Sequence, residues 1–201
     1  MEVSGEFRVC GVISVDPGLT NVGLCELDDE WRVVDLRHSA LPHSAQLSRL
    51  HFERRPEWIH ILAQDVYEWV RRHIFPRLLF LNRETDDELL VVVEENDLAI
   101  TRDWAGILTG ILAGCQGVRV VTVLPTHVKA WMVKHGMPAK ASRYQKKKFA
   151  VDFVSSLEMG EREDGCKLIV DDHSADACLN ALYIRERFFL RKRNAHNKHT
   201  Q

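Results

Sequence analysis

Six side chains of this protein are of the types that hold divalent cations and stand where a fold can gather them. Asp16 and Glu94 each end an apolar run, VISVD and LLVVVE, with Glu95 directly after. Asp172, His173 and Asp176 open the segment DDHSADACLNAL. A carboxylate that continues a doubly buried strand is a costly desolvated charge unless it meets a partner, and a cation is such a partner. Each acid also has an ordinary explanation. Asp before Pro17-Gly18 is a common turn device, and Glu94 and Glu95 account equally well for a strand emerging into solvent. Acids at a helix start interact favourably with its dipole, which explains Asp171 and Asp172 better than Asp176. His173, Asp176 and Asn180 fall at i, i+3 and i+7 of that helix, on one stripe. The small residues Ser174, Ala175 and Ala177 let its first turn lie close to a sheet.

The elements that must position these groups follow from periodicity and punctuation. Arg8–Val15 is β-branched and apolar and stops at Asp16-Pro17-Gly18, a strand and a turn. Asn21–Leu27 and Trp31–Leu36 read as two more strands, completing an antiparallel meander. A polar, His-rich loop runs to about Arg55. A long helix then starts at Pro56, with Ile59, Leu62, Ala63, Val66, Trp69, Val70 and Ile74 at helical spacing. Leu89–Val93 is an unbroken apolar run, the pattern of a strand buried on both faces. Thr101 or Asp103 caps a helix reaching Gly114, and Val118–Leu124 is a fifth strand ended by Pro125. Helices follow over Thr126–His135 and Ser142–Leu157, and a last one starts near Asp172. This order predicts an α/β fold: one mixed sheet, an antiparallel three-strand meander beside two parallel strands, with helices on its faces. In such a sheet functional groups gather at the carboxyl ends of strands, where Asp16 and Glu94 sit.

At 201 residues, 45% hydrophobic and 28% charged, the chain suits a single domain with one core. We expect that domain over 1–184, and a fraying tail over 185–201, where six basic residues face the single acid Glu186. The apolar clusters around Leu90 and Ile107 are too short to span a bilayer, and Met-Glu-Val-Ser-Gly-Glu lacks the features of a secretory signal. An intracellular protein is therefore expected, in cytoplasm or nucleus. Five widely spaced cysteines suggest buried free thiols, not a disulfide framework or zinc site.

The net charge of −2 conceals an asymmetry. From Trp104 to Val151 there is no acid, while Arg119, Lys129, Lys134, Lys140, Arg143, Lys146, Lys147 and Lys148 are all positive. A single charge run is usually a solvated face; a block this long in an acidic chain favours phosphate binding. Tyr144 within it, and Trp104 and Trp131, are of the type that stacks on bases, although packing is the better expectation for the two tryptophans. Gly106, Gly110 and Gly114 recur at i+4 and weaken an isolated helix, so they call for close packing, on the sheet or on another subunit.

Taken together, VISVDPGLTNVGL, VVVEEN, PTHVKAWM and DDHSADACLNAL resemble the RuvC-type Holliday junction resolvases of the ribonuclease H-like superfamily, in the family's order over roughly Val9 to Ile184. The Asn in GLTN, the long helix and the triple lysine look most similar to the branch of poxviruses and other large DNA viruses. The resemblance implies a ribonuclease H-like five-stranded sheet and a homodimer that nicks two opposed strands of a four-way junction. By motif, Asp16, Glu94 and Asp176 are the catalytic and metal-binding acids. The family's fourth acid corresponds to His173, which is either a ligand itself, our preferred reading, or leaves that role to Asp172. Two Mg2+ ions per site, with Mn2+ able to substitute, would activate a water and stabilise the leaving 3′ oxygen. Lys129, Lys140, Arg143, Lys146, Lys147 and Lys148 are the implied DNA contacts, and the Gly106/Gly110/Gly114 helix the implied dimer surface. Flaps, forks or other branched DNA are alternative substrates, and a non-catalytic junction-binding protein is the alternative class.

Overall fold

The computed structural model describes residues 8–79, 87–95, 99–157 and 168–198. Five strands, β1 (Arg8–Asp16), β2 (Val22–Leu27), β3 (Val33–Ser39), β4 (Asp87–Glu94) and β5 (Val118–Val123), form one sheet in the order β3-β2-β1-β4-β5. β1 pairs antiparallel with β2, and β2 with β3; β4 lies parallel to β1 and β5 parallel to β4. The mixed five-stranded α/β sheet expected from the sequence is the sheet observed.

Alternation of side chains divides the core in two. Ile13, Val15, Val22, Leu24, Leu89, Val91 and Val93 point to one face, covered by α1 (Ser44–Phe52), α2 (Trp58–His73) and α4 (Ala99–Leu112). Val12, Cys25, Leu27, Leu90, Val92 and Val123 point to the other, covered by α5 (Pro125–Lys134), α6 (Arg143–Ser155) and α7 (Asp172–Lys198). Both faces of β1 and β4 are thus buried, which is why these strands carry almost no polar residue until their ends.

Two features differ from expectation. The His-rich segment after β3 holds the helix α1, whose contact with the core is the single buried Leu47; with one apolar anchor it lacks the periodicity that reveals a helix. A short α3 (Phe75–Leu78) follows α2. The last helix, α7, starts at Asp172 as expected and runs to Lys198. Among the described residues Cys25, Cys115 and Cys178 are free thiols, and no helix is long and apolar enough to cross a membrane. Cys166, Asn96 of the VVVEEN motif and residues 199–201 lie outside the described residues.

Candidate functional site

Val12 and Leu90 face α7, so two-residue periodicity carries Ser14 and Asp16 on β1, and Val92 and Glu94 on β4, to that same face. The parallel register pairs Val15 with Val93, so Asp16 and Glu94 come next to each other at the carboxyl ends of adjacent strands. Opposite Asp16 on β2 is Gly23. A Cβ there would run into the backbone carbonyl of His173, and would lie 3.3 Å from the Asp16 Cβ. Only glycine at this place lets the first turn of α7 rest on the sheet beside Asp16. Ser174, Ala175 and Ala177 complete the close approach, each fully buried.

Asp171 caps that turn. Its Oδ1 accepts the backbone N–H groups of His173 and Ser174, both at 2.9 Å, and its own N–H donates to Ser174 Oγ at 3.1 Å. Its Oδ2 lies 2.6 Å from His38 Nδ1 on β3. Burial works against the charged form, but these donors hold the Asp171 carboxyl below its usual range. One turn on, Asp176 projects toward the strand ends, and the next residue on the stripe, Asn180, donates its amide to Glu94 Oε2 at 3.0 Å.

Asp16, Glu94 and Asp176 therefore come from three elements into one electrostatic cluster. Burial, then the charges of Glu94 and Asp176, hold the Asp16 carboxyl well above the normal range, with Lys147 pulling the other way. Burial and then Glu94 push Asp176 up to about 7, again against Lys147. Burial raises Glu94, and the amide of Asn180 opposes it. Desolvated like charges of this kind disfavour their own ionised forms, and a cation offsets both causes.

Lys147 is the one member of the basic block that the fold brings into this cluster. Its ammonium on α6 binds Asp172, and that contact is the main reason the Asp172 carboxyl is held low. Lys140, Arg143 and Lys148 are exposed near the start of α6, with Lys146 half-buried; Lys129 is exposed on α5, which begins at the same edge of the sheet. Arg119 belongs elsewhere, paired with Glu88 at 2.7 Å at the opposite end of the strands. The His173 ring sits 3.8 Å from Asp172 and 6.3 Å, centroid to centroid, from His38. Glu95 is exposed beyond the end of β4. Trp104 and Trp131 are buried, and Tyr144 is exposed.

The donor set fits a hard cation in kind: carboxylate oxygens, with the buried Asn180 Oδ1 and Ser14 Oγ lacking a hydrogen-bond partner. It is not a closed coordination cage. Among the described residues no three His, Cys, Asp or Glu side chains converge closely enough to hold a metal ion as they stand. Of the residues singled out in the sequence, Asp16, Glu94, Asp176 and Asn180 come together here; Gly23, His38 and the placement of Lys147 were not anticipated. Gly23 had a signal, since a glycine inside an otherwise apolar strand marks a close approach.

The glycines of α4 and Gly114, just past its end at Leu112, correct one reading. At Gly106, Gly110 and Gly114 an added Cβ would meet nothing within 4 Å, and Gly106 and Gly110 are exposed. They do not serve packing on the chain's own sheet, which Trp104, Leu108 and Leu112 provide from the other side of the helix.

No family model and no curated protein matches the chain. Among solved structures it is similar to Thermus thermophilus RuvC, at 20% identity over 86% of this chain and 92% of that one, with a TM-score of 0.43. T. thermophilus RuvC in complex with Holliday junction substrate gives 21% identity, 86% and 90% coverage and a TM-score of 0.42. The yeast mitochondrial Holliday junction resolvase Ydc2 gives 12%, 90% and 81%, and 0.49. At these identities and TM-scores the likeness carries no argument about activity, and none of the three is viral; the viral branch rests on the motifs alone.

Proposed function

We propose that this chain is a metal-dependent endonuclease of branched DNA that resolves four-way junctions by paired nicks. The observation that carries this reading is the cluster of Asp16, Glu94 and Asp176, three carboxylates drawn from two strand ends and a helix into one desolvated place. Mg2+, with Mn2+ as substitute, would supply charge neutralisation and an activated water there, and His173 is the proposed fourth donor. The chain's own part is to hold the three acids at one edge of a rigid sheet and to aim Asn180 at Glu94. Lys129, Lys140, Arg143, Lys146 and Lys148 then hold the DNA backbone near that edge by phosphate contacts, which position a strand without reading bases.

The decisive experiment incubates the protein with a four-way junction, a flap and a linear duplex, in magnesium or manganese. Paired symmetric nicks in the junction are expected. Nicks confined to the flap make the protein a nuclease of other branched DNA, and no cleavage with either metal removes the enzyme reading. A non-catalytic junction-binding protein is the second reading. It is favoured by Lys147 already engaging Asp172 and by the open ligand geometry.

A homodimer belongs to the same proposal, because symmetric nicks need two sites. The exposed glycine face of α4 is the surface it would use. Gly110→Leu has room to fold, so a monomeric, fully folded variant in sedimentation supports that interface, and an unchanged assembly removes it.

A further inference from the structure

We propose that Tyr144 stacks on a base left unpaired at the branch point, beside the phosphodiester held at the carboxylate cluster, and so selects opened over continuous DNA. This deepens the nuclease reading and rests on it. Tyr144 is 75% exposed. It lies three and four residues before Lys147 and Lys148, on one stripe of α6. Lys147 binds Asp172 and acts electrostatically on Asp16 and Asp176. The ring therefore starts only about 4.5 Å along the helix from a residue of the cluster itself, within one or two nucleotide steps of about 3.4 Å.

Its position is also well fixed. Ser142 Oγ accepts the Gln145 N–H at 3.3 Å, and Gln145 Oε1 accepts the Ser142 N–H at 2.8 Å, a reciprocal cap that secures the first turn of α6 around Tyr144. Lys148 lies one turn on along the ring's stripe and Lys140, Arg143 and Lys146 are within four residues of it in the chain, and none of them is engaged in an ion pair among the described residues. Free cations about an exposed aromatic make the surface that grips a single strand: phosphates on the charges, a base on the ring. Among the described residues the other exposed aromatics, Phe52 and Tyr67, belong to α1 and α2 on the opposite face of the sheet. In a continuous duplex the bases are stacked and out of reach, so the contact would be felt only where a junction opens.

The test uses the full chain with a four-way junction carrying 2-aminopurine at its centre, and a linear duplex for comparison. Wild type and Tyr144→Phe should change the probe's fluorescence alike on binding. Tyr144→Ala should lose that change and bind the junction roughly 5- to 100-fold more weakly, with duplex affinity and melting temperature unaltered. A Tyr144→Ala protein with wild-type fluorescence and affinity overturns the stacking role and leaves the nuclease reading intact. Equal losses on junction and duplex overturn the selectivity. A wild-type protein that ignores branched DNA altogether overturns the functional reading, and this inference with it.

Discussion

The buried Asp65 and the half-buried Asp16 and Asp176, on opposite faces of the sheet, meet the cost of desolvation in different ways. On the α2 face Asp65 is 1% exposed, and its carboxylate accepts the backbone N–H of His43 at 2.9 Å and lies 2.7 Å from His43 Nδ1. That pair ties the start of α1 to α2. On the α7 face Asp16 and Asp176 accept no side-chain hydrogen bond among the described residues, and their near neighbours are other carboxylates. An acid with its own donor is architecture. Acids that raise one another's proton affinity at the edge of a sheet cost stability, and such a cost points to a ligand.

The largest expected effect separates the two faces by activity. Asp16→Asn should lower junction cleavage by several kcal/mol of barrier, on the order of 1000-fold or more, while junction binding measured by gel shift persists. Undiminished cleavage would sink the central reading. Next is a test without DNA. Asp176 titrates near 7 in the fold against 3.8 in a free side chain, so the folded state binds its proton more tightly than the unfolded chain does. The stability this confers is complete below 3.8 and is lost as pH rises through about 7. Asp176→Asn removes that slope, and the metal-free variant should exceed wild type at about pH 8 by on the order of 1–4 kcal/mol. Denaturant melts across pH check this, and identical slopes for the two proteins would contradict the crowding.

Asp65→Asn should do the reverse, costing about 1.5–3 kcal/mol of stability with the cleavage rate per folded molecule unchanged. A loss of rate at full stability would mean the α2 face shares the chemistry. Gly23→Ala adds one methyl where the His173 carbonyl already lies. It should cost about 1–3 kcal/mol and shift the start of α7 from the sheet, so cleavage should fall further than stability alone explains. If the alanine variant melts and cuts as wild type does, that packing is not what positions Asp176.

Much of this site was legible from local pattern. The alternation along β1 and β4 is a property of the chain alone: it puts Asp16 with Val12 and Ser14, and Glu94 with Leu90 and Val92, while the register of Val15 with Val93 makes those one face. Helical spacing likewise puts Asp176 and Asn180 on one stripe, and Asn180 does reach Glu94. The failures share a cause. Lys147 and Lys146 are neighbours in a triple lysine, and nothing local says that Lys147 alone meets Asp172 on α7. The partnership of His43 with Asp65 spans two helices, and α1 itself leans on a single buried leucine, too little for periodicity to reveal. The glycines of α4 called for a close approach, and only the fold shows that it is not to the chain's own sheet.

What the sequence determined by itself, then, is the order of the elements and the side of its own strand or helix on which each acid stands, because both follow from periods of two and 3.6 residues in short stretches of chain. Only the tertiary structure decided which acids crowd together and which find a private donor. That depends on contacts between residues far apart in the chain: Gly23 against His173, Lys147 against Asp172, Asn180 against Glu94. The electrostatic character of a carboxylate is set by its neighbours in space, and no local window of sequence contains them.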